Sequence, residues 1–152
     1  MNKIALLPIV VTLATGYAFG DAPKAPPKMT FRTFSAETRI ATTDRVTPYR
    51  FEDVLLVVIK DSLRCGQKPV DASFSIKAGQ VSLHYNLTPA APDAGNCVLG
   101  SEFKIENVPH RDLTVSFSED HGAPIVAAMQ KCPNYNPKTD DVWECLVPAE
   151  KK

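Results

Sequence analysis

The sequence predicts an α+β fold in which antiparallel β-hairpins form a sheet, one helix packs on that sheet and two disulfides cross-link the chain. Three observations lead to it. Residues 48–64 carry the terminal signals of a helix, residues 73–87 alternate between apolar and polar side chains, and four cysteines follow an N-terminal export signal.

The export signal occupies residues 1–20. Lys3 gives a positive start, residues 4–14 form an apolar run, and small residues precede a cleavage site before Asp21. The apolar run is much shorter than the roughly 20 residues that cross a membrane. We therefore expect cleavage, a mature protein in the periplasm or secreted from the cell, and no stable membrane span; an uncleaved anchor is the alternative.

The rest of the chain is expected to form one domain. Residues 21–30 are rich in proline and predict a flexible lead-in, and residues 31–152 predict a single small globular domain that opens on an irregular edge strand at 31–40. Lys and Arg number 17 and Asp and Glu number 17, so cleavage leaves one more acid than base. Because nucleic-acid binding depends on clustered basic residues, we set that function aside.

All four cysteines lie in the mature region, and an even number in an exported chain favours disulfides. Of the three possible connectivities we favour Cys65 with Cys97 and Cys132 with Cys145, because each pair flanks a local unit. A four-cysteine zinc site is the alternative, but it normally needs two close C-x2-4-C pairs, and these spacings do not provide them.

The helix is predicted from its ends. Thr47 resembles an N-cap, Pro48 fits the first helical position, and Gly66 follows where a helix would stop. The alternative is a buried strand, because residues 54–59 form an unbroken apolar run rich in valine. In both interpretations the run belongs to the core.

Two hairpins are predicted after the helix. The first covers residues 73–87, with a turn at 77–80. The second would run from Cys97 to Phe117 around a turn near His110, and residues 125–129 would add a short strand or a helical turn. Because each hairpin is half polar, the sheet should have one face open to water.

The histidines offer a weak metal hypothesis. His110 and His121 lie in predicted turns, where they could meet Glu119, Asp120 or Met129 and bind a late transition metal. The simpler interpretation is that both histidines, and His84 on the polar face of its strand, are surface residues. We therefore expect no cofactor.

The sequence contains no local catalytic motif. The chain has no G-x-S-x-G sequence, and its adjacent acids at 119–120 and 140–141 are expected to point apart in exposed loops. A small hydrolase-like enzyme that uses dispersed carboxylates and His110 or His121 stays open, because such residues can come from anywhere in the chain.

The loop from Cys132 to Cys145 is the candidate recognition surface, because a disulfide would hold its aromatic side chains in place and lower the entropy lost on binding. Its candidate binding residues are Asn134, Tyr135, Asn136 and Trp143. Alternatively, Trp143 packs with Val142 and Leu146 as a terminal strand.

These observations predict a non-enzymatic periplasmic or secreted protein that binds another protein or an envelope component. Inhibitors and immunity proteins share this profile of size, export and missing catalytic motifs. The alternatives are the small periplasmic enzyme and a metal-handling protein. The sequence identifies neither the partner nor the oligomeric state.

Overall fold

The computed structural model describes residues 25–35, 44–109, 112–120 and 122–130, and these residues form an all-β fold. Strands make up 66% of them, and none is helical. The described residues consequently contain no helix that could cross a membrane. The strands are β1 (Lys28–Ser35), β2 (Val46–Phe51), β3 (Val54–Arg64), β4 (Pro69–Lys77), β5 (Gln80–Leu87), β6 (Asn96–Glu106), β7 (Thr114–Glu119) and β8 (Ile125–Ala127).

The eight strands form two four-stranded sheets. Sheet A has the order β1-β6-β3-β2 and is antiparallel throughout. Sheet B has the order β4-β5-β7-β8, with β5 and β7 parallel. The α+β prediction is therefore wrong, because the second layer over the sheet is another sheet and not a helix.

The core lies between the two sheets, where alternate side chains of each strand meet. Its centre is aromatic: the ring centroids of Tyr85 and Phe117 are 4.9 Å apart, and those of Phe31 and Phe103 are 4.8 Å apart. The buried core residues are Val46, Leu55, Val57, Ile59, Val81, Leu83, Tyr85, Phe103, Ile105, Val108, Val115 and Phe117.

The predicted helix over residues 48–64 is instead the β2–β3 hairpin. Glu52, whose φ of 47° is left-handed, lies in the turn between the two strands, within the range where we expected a continuous helix. Residues 54–59 are apolar without a break because β3 is buried on both faces, which removes the alternation typical of a strand. Pro48 is tolerated because β2 lies next to only one strand of sheet A.

The first predicted hairpin is confirmed and the second is wrong. Strands β4 and β5 pair around Ala78 and Gly79, both with positive φ, as a tight two-residue turn requires. Strand β6 cannot pair with β7, because β1 and β3 already occupy its two edges. The chain therefore crosses to sheet B, where β7 pairs parallel with β5.

One disulfide is present among the described residues. Cys65 and Cys97 are bonded, with Cα atoms 5.0 Å apart, which confirms that predicted pair. Cys132 and Cys145 lie outside the described residues, as does the export signal. Strand β1 is an edge strand, and it begins at Lys28, within the range predicted as a lead-in.

Candidate functional site

A polar cluster lies where one end of β3 meets the end of β7. It borders an open depression of about 470 Å³ on the side of the sandwich. The residues that line the depression are Arg45, Lys60, Asp61, Ser62, Val98 and Glu119.

The strand periodicity places the two carboxylates. Asp61 continues the inward row of Leu55, Val57 and Ile59 along β3, so its side chain enters the end of the core. Glu119 is the last residue of β7 and continues the inward row of that strand. The two sheets thus direct one acid each toward the same place.

Arg45 joins the two carboxylates. This residue precedes β2, and its Nε donates a hydrogen bond to Asp61 Oδ1 at 2.6 Å. Its second terminal nitrogen lies 2.6 Å from Glu119 Oε1, and its guanidinium lies 5.9 Å from the centroid of the Phe117 ring. The Tyr85 hydroxyl donates a hydrogen bond to Asp61 Oδ2. Both oxygens of the Asp61 carboxylate are therefore engaged.

The electrostatics fix the charge state of the cluster. Burial raises the pKa of Tyr85 well above its ordinary value, and the hydrogen bond to Asp61 raises that pKa further. Burial lowers the pKa of Arg45, but its hydrogen bonds to Glu119 and Asp61 outweigh that effect and raise it. The phenol stays neutral and the guanidinium stays charged at physiological pH, so neither group exchanges a proton there.

Two oxygens in this region have no hydrogen-bond partner among the described residues. They are Glu119 Oε2 and Ser101 Oγ, and both are shielded from solvent. Of these two residues, Glu119 is the one that lines the depression.

The outer face of sheet B is the second polar surface. As the alternation predicts, His84 points away from the core, between Ser118 Oγ and Asn86 Oδ1, at 3.1 Å from each. The row continues with Gln80, whose amide donates to Ser116 Oγ at 3.2 Å. Around His84 and Gln80 this face presents hydroxyl and amide groups, with the exposed Lys77 at its end.

The predicted site residues fall largely outside the described ranges. The loop residues Asn134, Tyr135, Asn136 and Trp143 lie there, and so do the weak metal candidates His110 and His121. Their roles stay predictions. The described residues contain no group of three His, Cys, Asp or Glu side chains that could hold a metal.

Sequence reasoning missed the cluster. It considered Glu119 beside Asp120 and as a metal partner of His110 and His121, and not beside an arginine. The Asp120 carboxylate accepts a hydrogen bond from the Leu87 N–H at 2.9 Å. It did not consider Arg45, Tyr85 or Asp61. The one local signal was Asp61 itself, a lone acid at an inward position of an apolar strand.

Comparison with protein-family models, with curated protein sequences and with solved structures finds no match to this chain. The functional argument therefore depends on the residues themselves.

Proposed function

We propose that this protein is an exported, non-enzymatic binding protein that recognises another protein or an envelope component. The observation that carries the proposal is the pairing inside the polar cluster. Asp61 and Glu119 are both bound to Arg45, so the acids that a hydrolase would use for proton transfer already neutralise a fixed cation. The described cluster is built to hold the sandwich together at this end.

Other features support export and recognition. A disulfide such as Cys65–Cys97 is typical of oxidising compartments, in agreement with the export signal predicted at residues 1–20. The outer face of sheet B offers hydrogen-bonding groups around His84. The predicted loop from Cys132 to Cys145 adds the aromatic side chain of Tyr135.

The test is affinity capture from an envelope extract with the oxidised protein as bait. We expect one stoichiometric partner, lost with Tyr135→Ala or with His84→Ala and retained with Lys28→Ala, an exposed change at the edge of sheet A. Titration of the purified partner would then give its affinity for each variant. Retention of the partner by all three variants would contradict a role for either surface.

A hydrolase is the second candidate, and one observation favours it. Glu119 lines the depression, and its Oε2 has no hydrogen-bond partner among the described residues. The discriminating variant is Glu119→Gln, which keeps the shape and removes the charge. Turnover of an envelope substrate by the wild-type protein, abolished in Glu119→Gln, would replace the binding proposal with this one.

A further inference from the structure

The two described sheets have four edge strands, and three of them are protected against further pairing. At the edge of β2, the Gln130 N–H donates a hydrogen bond to the Pro48 carbonyl at 2.8 Å. Strand β4 starts at Pro69 and has a register shift next to Asp71, and β8 is only three residues long. Short strands, prolines and bulges commonly protect a sheet edge, but β1 is regular over all of its eight residues and contains no proline.

The direction of the backbone groups in sheet A follows from two hydrogen bonds. In an antiparallel ladder, successive residues of a central strand bond alternately to its two neighbours. The Cys65 N–H donates to the Gly95 carbonyl at 2.7 Å, and the Lys60 N–H donates to the Arg45 carbonyl at 2.8 Å. Odd-numbered residues of β3 therefore bond to β6 and even-numbered ones to β2. By the same register, the even-numbered residues of β6 bond to β1.

Every second residue of β1 consequently leaves its backbone N–H and C=O at the free edge. Glu102 of β6 lies opposite Arg32, so the backbone groups of Arg32 face β6. Met29, Phe31 and Thr33 direct their backbone groups away from β6, and no other described residue bonds to them. Such a row of unpaired groups is a template for another extended strand.

Apolar side chains lie beside this edge. Met29 and Phe31 point toward the core but are only partly buried, and so are Phe74 and Ile76 of β4. Strands β1 and β4 lie on the same side of the sandwich, each at the edge of its sheet. A strand that pairs with β1 would cover Met29 and Phe31, so pairing would bury apolar surface as well as satisfy the backbone groups.

Charge and side-chain direction select the register in which β1 can pair with β1 of a second copy. Inward side chains meet inward side chains only when the antiparallel pair is centred on a residue, and centring on Phe31 or Arg32 pairs the most residues. Centring on Arg32 would place two guanidinium groups opposite each other, which is destabilising. Centring on Phe31 places Arg32 opposite Thr30 of the partner subunit. The charge of Arg32 is compensated within its own sheet, because its second terminal nitrogen lies 2.7 Å from the buried carboxylate of Glu102.

We propose that two copies of this protein pair antiparallel through residues 29–33 of β1, with Phe31 on the two-fold axis. The two sheets A then form one continuous sheet, and the free edge of β1 disappears. Pairing of an edge with itself is an isologous two-fold contact, the commonest symmetry of protein oligomers. The proposal goes beyond the proposed binding function and does not depend on it, because the face around His84 belongs to sheet B.

Thr33 provides the decisive pair of variants. Its N–H faces away from β6, so Thr33→Pro removes a donor of the dimer contact and no bond of the β1–β6 ladder. Thr33→Ala is the matched control for the side chain, since it keeps the N–H. Sedimentation velocity of the oxidised protein over a concentration range should show wild type and Thr33→Ala changing from monomer to dimer. Thr33→Pro should weaken this self-association by more than about tenfold, because each dimer loses a hydrogen bond at both ends of the contact.

Amide hydrogen exchange in the wild-type protein tests the same surface without a variant. In the monomer, the N–H groups of Thr30 and Arg32 should be protected, and those of Phe31 and Thr33 should exchange fast. At concentrations where the dimer forms, the Phe31 and Thr33 N–H groups should become protected too.

A wild-type protein that stays monomeric at every concentration would overturn the proposal. So would a dimer in which the Phe31 and Thr33 amides still exchange fast, because another surface would then form it. Equal self-association of Thr33→Pro and wild type would also contradict it. If these amides become protected only when an envelope extract is added, the edge pairs with another protein and the second copy is the wrong occupant.

Discussion

The outer faces of the two sheets differ in composition and in burial. In sheet A the central strand β3 presents Leu56 and Val58 to that side, and both are buried. In sheet B the central strand β5 presents Ser82 and His84, which are partly exposed. Both strands lie at equivalent depth in a four-stranded sheet, so the two outer faces differ at their centres: that of sheet A is apolar and buried, and that of sheet B is polar and partly exposed.

This difference explains the sequence of each strand. A strand that is buried on one face alternates, as β5 does, and a strand that is buried on both faces is continuously apolar, as β3 is. An unbroken apolar run therefore indicates that both faces of a strand are buried. The experiments below test whether the two outer faces differ as much in energy as they do in composition.

The largest expected effect comes from a charge on each face. Leu56→Asp places a carboxylate in a buried apolar layer and should lower the free energy of unfolding by more than about 4 kcal/mol. Ser82→Asp places the same group on the open face and should cost about 1 kcal/mol or less. Urea denaturation measures both; equal losses would show that the faces are energetically alike.

The next largest effect is the loss of stability when one polar contact is removed from each outer face. Arg32 bonds to the buried carboxylate of Glu102 at 2.7 Å, so Arg32→Ala leaves a buried charge and should cost about 2 kcal/mol, less than a fully buried pair because Arg32 is half exposed. His84→Ala removes two hydrogen bonds from the open face and should cost about 1 kcal/mol. A larger loss for His84→Ala in thermal unfolding would reverse the ranking.

A third test uses alkaline pH. Burial raises the pKa of Tyr49 on the covered face, and nearby Asp44 raises it further. A folded-state pKa above that of the unfolded chain contributes stability below about pH 10, and this contribution is lost as pH rises further. The free energy of unfolding should therefore fall above about pH 10, and Tyr49→Phe should make the fall less steep.

Tyrosinate absorbance provides the control for that test. In the folded protein Tyr49 and Tyr85 should stay protonated at a pH where unfolded chains ionise, because the pKa of each is raised by burial. Full ionisation of all tyrosines while the protein is still folded would show that Tyr49 is open to water, and that the outer face of sheet A is not covered.

The smallest expected effect is on the open face. Val126 of β8 is 66% exposed, so Val126→Thr should change the free energy of unfolding by no more than about 0.5 kcal/mol. The same substitution at Val58 should cost at least about 1 kcal/mol, because it buries a hydroxyl in an apolar layer. Denaturant midpoints at constant slope would compare the two.

Local patterns predicted the elements that depend on local chemistry. The β4–β5 hairpin follows from alternation and from a turn with Gly79, and the Cys65–Cys97 pair follows from cysteines that flank a local unit. The helix over residues 48–64 failed because two-sided burial hides the strand period. The prediction of a β6–β7 hairpin was wrong because the pairing of a strand depends on which other strands already lie at its edges. The sequence of that strand alone does not contain this information.

The polar cluster could not be predicted from the sequence for the same reason. Arg45, Asp61 and Glu119 come from a loop and from one strand of each sheet, so no spacing in the sequence joins them. The pairing of the sheets brings them together. Asp61 alone carried a signal, since an acid in an apolar strand needs a partner when it is buried.

The Cys65–Cys97 bond also determines how this protein would respond to mechanical pulling at its ends. The bond links the end of β3 to the start of β6, which are neighbours in sheet A, and the β4–β5 hairpin lies inside the closed loop. Tension along the chain therefore passes through the sulfur atoms and bypasses half of sheet B. Because the two cysteines are 32 residues apart, the fully extended oxidised chain should be about 110 Å shorter than the fully extended reduced chain.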